Sequence, residues 1–140
     1  MITALTPEAL IHGRVAAFSR HDFRAIYSSY HPDAPFLNFF PDCDAYLAYA
    51  EEELVHHFQI RGCRILRTFQ QGERTDILFS LQLNKEGIVF DTLEMARCRC
   101  DNLGIWSFEA GLRLDALKLP AEFLHCSWAD LIAAGNDLWI

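Results

Sequence analysis

The sequence predicts an α+β fold in which N-terminal helices pack on an antiparallel meander sheet, followed by a short C-terminal helix. Three observations carry this. Apolar residues recur at helical spacing from about residue 6 to 58, the period changes to alternation from about Ile60, and turn residues then fall at regular intervals. With 140 residues, 51% of them hydrophobic, the chain supplies one core and too little length for two ordinary domains. One domain is expected over 1–140, with a core at 6–114 and a C-terminal extension at 115–140.

Thr6-Pro7-Glu8 opens the first helix: the Thr hydroxyl can accept an orphan N–H, Pro is pre-set for the first helical position, and Glu favours the positive dipole end. This helix runs to about His21, with Leu10, Ile11, Val15 and Phe18 on one stripe and Arg14 in the middle of it. Asp22 caps a second helix carrying Phe23, Ile26, Tyr27 and Tyr30, which His31-Pro32 stops. The aromatic stretch 35–41, bracketed by Pro35 and Pro41, is expected to be irregular and to cover part of the core. Asp42 caps a third helix with Tyr46, Leu47, Ala50, Leu54 and Phe58 on one side and Glu51, Glu52 and Glu53 as a solvated face.

Turns at 71–73, 85–87 and 101–104 divide the middle of the chain into four strands, roughly 61–70, 75–84, 88–100 and 104–114. The second alternates cleanly, Ile77, Phe79, Leu81 and Leu83 against Asp76, Ser80 and Gln82, so one sheet face is expected to be buried. Trp106 reads as a packing residue of the last strand. Ser127 and Asp130 form a capping-box-like start for a C-terminal helix of two to three turns, with Trp128, Leu131 and Ile132 as its apolar face.

The charge balance excludes several functions. Twelve Lys and Arg against nineteen Asp and Glu give a net charge of -7, the wrong sign for a protein that neutralises phosphates, so neither nucleic acid nor an anionic membrane is an expected partner. No apolar run is long enough to cross a bilayer and no export signal is visible. Five cysteines without framework spacing fit free thiols in a reducing compartment, and a cytoplasmic location is expected. Glycine-rich phosphate loops, Gly-x-Ser-x-Gly and His-Glu-x-x-His are missing, and Cys98, Cys100, His56, His57 and Cys126 lack the paired spacing of a zinc site, so no metal or cofactor is expected.

The third strand singles out one residue. Ile88, Phe90, Thr92, Glu94, Ala96, Cys98 and Cys100 alternate with Val89, Asp91, Leu93, Met95, Arg97 and Arg99, and the first face holds Glu94 as its one charge. A carboxylate carried into the core needs a cation or a raised pKa. Arg14 is the expected partner, either as a structural ion pair or as one wall of a pocket for an anionic or hydrogen-bonding ligand. Tyr27 and His31, four residues apart on one helix side, could face the same cavity as an acid/base set.

Two stretches, Leu10-Ile11-His12-Gly13-Arg14-Val15-Ala16-Ala17-Phe18 and Tyr30-His31-Pro32, resemble the opening of the YchJ-type domain, the NTF2-like middle domain of SEC-C-motif proteins. Gly62-Cys63-Arg64-Ile65-Leu66, Leu93-Glu94-Met95-Ala96-Arg97 and Asn102-Leu103-Gly104-Ile105-Trp106 follow in matching order, so the likeness spans roughly residues 6 to 111. The resemblance implies a cone-shaped NTF2-like fold and marks Arg14, His31, Pro32, Glu94, Gly104 and Trp106. The aromatic of the family pattern near Cys98 is missing, as are the cysteine-rich SEC-C segments, so zinc binding is not carried over.

The expected function is non-catalytic binding of a small apolar or hydrogen-bonding ligand, or of a protein, in a pocket between helices and sheet. Arg14 and Glu94 would form its floor, Tyr27 and His31 would stand near its mouth, and Trp106 completes the candidate set. The alternatives are a cofactor-free isomerase or lyase with Glu94 or His31 as general base, and a structural homodimer pairing through the sheet face that carries Leu93 and Met95. Fold alone does not choose among them.

Overall fold

The computed structural model describes residues 1–139; Ile140, the last residue of the expected extension, lies outside them. Helix α1 (Pro7–Ser19) starts as its sequence predicts, with the Thr6 hydroxyl accepting the Ala9 N–H. It stops where His21 adopts a left-handed conformation (φ 58°), and the N–H groups of His21 and Asp22 return to the carbonyls of Phe18 and Ala17. Asp22 then caps α2 (Phe23–Ser28) through the Ala25 N–H. These back-to-back caps make the hairpin tight.

The stretch expected to be irregular contains a single helical turn, α3 (Phe36–Phe39), with Phe36 buried and Phe39 in solvent. Pro35 is at home there because the first turn of a helix leaves its N–H groups unpaired in any case. Helix α4 (Cys43–Tyr49) passes into a wider π-type turn at Ala50–Leu54. Phe58, expected on that helix, instead begins the first strand.

The sheet has five antiparallel strands in sequential order: β1 (Phe58–Gln71), β2 (Arg74–Lys85), β3 (Ile88–Cys100), β4 (Trp106–Leu114) and β5 (Asp137–Trp139). The first four are those expected, with shifted ends; β5 was not expected. At the β2–β3 turn Glu86 and Gly87 both have positive φ, as a two-residue hairpin loop requires.

Both faces of the sheet are covered, which the alternation in the second strand did not show. The inner face carries Ile77, Phe79, Ala96, Cys98, Trp106 and Phe108 under α1. The outer face carries Leu78, Met95, Ala110, Leu112 and Leu114 under Trp128 and Leu131 of the short helix α5 (Trp128–Ala133). Ser127 and Asp130 form the expected capping box, although the helix is only six residues long. Asn136, 3% exposed, ties the extension together: it accepts the Asp115 N–H and donates to the carbonyls of Lys118 and Leu131. The surface proposed for pairing two copies is therefore occupied at Met95 by the chain's own α5, and a charge placed there would test folding rather than dimerisation.

A bulge in β4 decides what faces the helices. Cys98 pairs with Phe108 but Arg97 pairs with Ala110, so Glu109 is the extra residue and the side-chain alternation reverses across it. Trp106 and Phe108 point inward before the bulge; Ala110, Leu112 and Leu114 point outward after it. Arg113 is thereby turned inward, directly opposite Glu94.

Candidate functional site

Between the helices and the inner sheet face lies a cavity of about 510 Å³. Phe18, Ile26, Phe36, Phe40, Leu54, Phe58, Leu81, Leu83 and Phe108 supply its apolar walls, while Arg14, Glu94, Arg113, Tyr30 and Tyr46 bring polar atoms. A volume in this range and a mostly apolar wall with a few polar groups are the usual form of a small-molecule site.

Arg14 reaches the cavity from the middle of α1, as expected, but it does not bond to Glu94. Its Nη1 donates to Ser29 Oγ (2.6 Å) and its Nη2 to the Tyr30 hydroxyl (3.2 Å). Its guanidinium carbon also lies 4.6 Å from the Tyr30 ring centroid and 4.1 Å from that of Phe108. The reason is positional. Backbone bonds from Phe108 to Ser29 and from His31 to Phe108 hold the end of the helical hairpin against β4, beside Arg14. Phe108 stands opposite Cys98, and Glu94 is four residues further along β3, roughly 13 Å at strand spacing.

Glu94 is 9% exposed. Its Oε2 accepts the Thr92 hydroxyl at 3.0 Å. Burial pushes its carboxyl above the ordinary carboxylate range, and the charge of Arg113, the Thr92 bond and the charge of Arg14 only partly offset that. The carboxyl thus keeps its proton more tightly than in water while lining an open space.

Tyr46 was read from the sequence as a plain packing residue of α4. It is 5% exposed, lines the cavity, and its hydroxyl makes no hydrogen bond among the described residues. Burial raises its phenol pKa strongly, with the charge of Arg14 pulling the other way. No sequence signal marks it, because its helical spacing is that of any core aromatic. Arg113 was also missed: alternation counted from Trp106 and Phe108 places it outside, and only the Glu109 bulge brings it in.

The remaining candidates lie outside the cavity lining. The Tyr27 hydroxyl donates to the Phe40 carbonyl (2.7 Å) and so anchors the aromatic segment. His31 accepts the Asp33 N–H at Nδ1 (3.0 Å), which ties its ring to the turn after α2. The two therefore do not converge as an acid/base set. Trp106 packs in the inner core, and its backbone pairs with Ala4. Cys98 is wholly buried, and burial pushes its thiol up to about 12, so it is neither a nucleophile nor a ready metal ligand.

Fold and site together define an α+β protein with an apolar cavity between helices and sheet and a small set of polar groups inside. No family model matches the chain, and no curated protein matches it. Among solved structures it is similar to the solution structure of a SEC-C motif containing protein from Rhodopseudomonas palustris, with 25% identity over 81% of this chain and 82% of that one, and a TM-score of 0.63. That likeness agrees with the SEC-C-related part of the resemblance.

Proposed function

We propose that this chain is a cytoplasmic NTF2-like domain that binds a small, mostly apolar molecule in the cavity between its helices and sheet. The observation that carries the reading is the cavity of about 510 Å³, whose walls are aromatic and aliphatic and whose polar groups are few. The sequence resemblance supports the NTF2-like part, and the SEC-C-motif neighbour supports the SEC-C-related side of that resemblance. The location rests on the five free cysteines.

A neutral dye whose emission rises in apolar surroundings, N-phenyl-1-naphthylamine, tests the reading. One saturable site per chain is expected. Leu54→Trp, which fills the cavity from the π turn, should abolish uptake, while Leu117→Trp, on a side chain 94% exposed, should leave it unchanged. Uptake that is unsaturable, or equal in all three proteins, would refute the cavity as a binding site.

A second reading has an observation of its own: Glu94 is not bonded to Arg14 and faces open space, as a general base on a carbon acid must. Deuterium uptake from D2O into the saturated α-carbon of a cyclic ketone should then be accelerated by the protein. The base form is the ionised one, so the rate should climb as pH rises through the elevated Glu94 pKa and level off above it. Equal rates for the wild type and Glu94→Gln would eliminate the catalytic reading and leave binding.

A further inference from the structure

We propose that the cavity ligand is a carboxylate carried on an apolar ring system, with its charged group received by Arg14 and the Tyr46 hydroxyl. This rests on the cavity being a binding site and names the class of molecule that it takes.

Arg14 is a half-buried cation whose hydrogen bonds all go to neutral oxygens, those of Ser29 and Tyr30. No carboxylate lies within 4.0 Å of its guanidinium among the described residues. The rings of Tyr30 and Phe108 beside the guanidinium displace water from it. Such rings solvate a cation in part, but a guanidinium has five N–H groups and the two hydrogen bonds leave others uncommitted toward the cavity. Glu94 does not fill this role: its bond is to Thr92, and Arg113 is its cross-strand neighbour.

The Tyr46 hydroxyl is the second group. The residue is 5% exposed and lines the same cavity, and its hydroxyl makes no hydrogen bond among the described residues. A run of ring contacts joins the two groups: the Arg14 guanidinium lies over Tyr30 at 4.6 Å, Tyr30 stacks on Phe36 at 4.1 Å, and Phe36 meets Tyr46 at 5.1 Å. Arg14 can only donate, and Tyr46 has a proton to give. A ligand group that only accepts and that brings the missing negative charge completes both at once, and a carboxylate matches the planar guanidinium fork. A dianionic phosphate fits less well, since apolar walls with few donors leave most of its charge unsolvated.

Two dyes with the same anilinonaphthalene body separate this proposal from the reading beneath it: the neutral N-phenyl-1-naphthylamine and 1-anilinonaphthalene-8-sulfonate. The sulfonate should bind about 10-fold more tightly, the scale of one charge-assisted hydrogen bond. 2-Naphthoate should displace it, and 2-naphthalenemethanol should not. Tyr46→Phe, which removes only the hydroxyl, should weaken the sulfonate about 10-fold and leave the neutral dye within about twofold. Arg14→Gln should do the same, while Arg61→Gln, at an exposed position on β1, should change neither. Equal affinity for both dyes, or displacement by the alcohol as well as the acid, would overturn the anion while leaving the cavity intact. If neither dye binds, both readings fall.

Discussion

Phe36→Ala should destabilise the protein by about 3–5 kcal/mol, seen as a lower urea midpoint with little change in slope. Phe36 is 5% exposed and occupies the centre of an aromatic cluster. Its ring is stacked on Tyr30 with centroids 4.1 Å apart, meets Tyr46 edge-on at 5.1 Å, and touches Phe40 at 5.3 Å. Truncation removes the buried area of the ring and each of these pairings, and it enlarges the adjoining cavity. Phe39 lies three residues along the same helical turn and is 67% exposed, so Phe39→Ala should stay within about 0.5 kcal/mol. Equal effects at the two positions would show that α3 is not the cover the structure describes.

Asp76→Ala is the second large effect, again about 3–5 kcal/mol. Asp76 is 3% exposed on the outer sheet face and binds Arg97 through both oxygens, at 2.9 and 3.0 Å. Arg97 also lies over the Trp128 ring, 4.4 Å from its centroid, so the pair braces the sheet against α5. Removing the carboxylate leaves a guanidinium held away from water with no counter-charge. Removing both partners by Asp76→Leu with Arg97→Met should cost much less than the two single changes added together, and the resulting double-mutant cycle should give a coupling of about 2 kcal/mol or more. Amide exchange in 128–133 should quicken in Asp76→Ala. Additive single effects with unchanged exchange would show that the pair is not a brace.

Among the site residues, Arg14 and Glu94 were legible because a charge inside an apolar stripe or on an apolar strand face is anomalous wherever it occurs. Their pairing was not. Periodicity tells which face a side chain occupies but not how far along the neighbouring element it meets a partner, and the tie between the hairpin end and Phe108 sets that offset. Arg113 was hidden for a sharper reason. One extra residue at Glu109 reverses the alternation, and nothing in Trp-Ser-Phe-Glu-Ala-Gly announces it. Tyr46 was hidden because an unpaired hydroxyl is a property of its surroundings and not of its residue type.

The sequence by itself determined the local chemistry: caps at Thr6, Asp22, Asp42 and Ser127, the turns, and the change from helical to alternating period, each set by groups a few residues apart. Tertiary structure alone decided that the outer face is covered by α5, that β5 joins the sheet, that Arg113 turns inward, and that Arg14 and Glu94 stay apart across a cavity. These outcomes depend on register and packing between segments distant in the chain, where energies are summed over many contacts and a shift of one residue exchanges inside for outside.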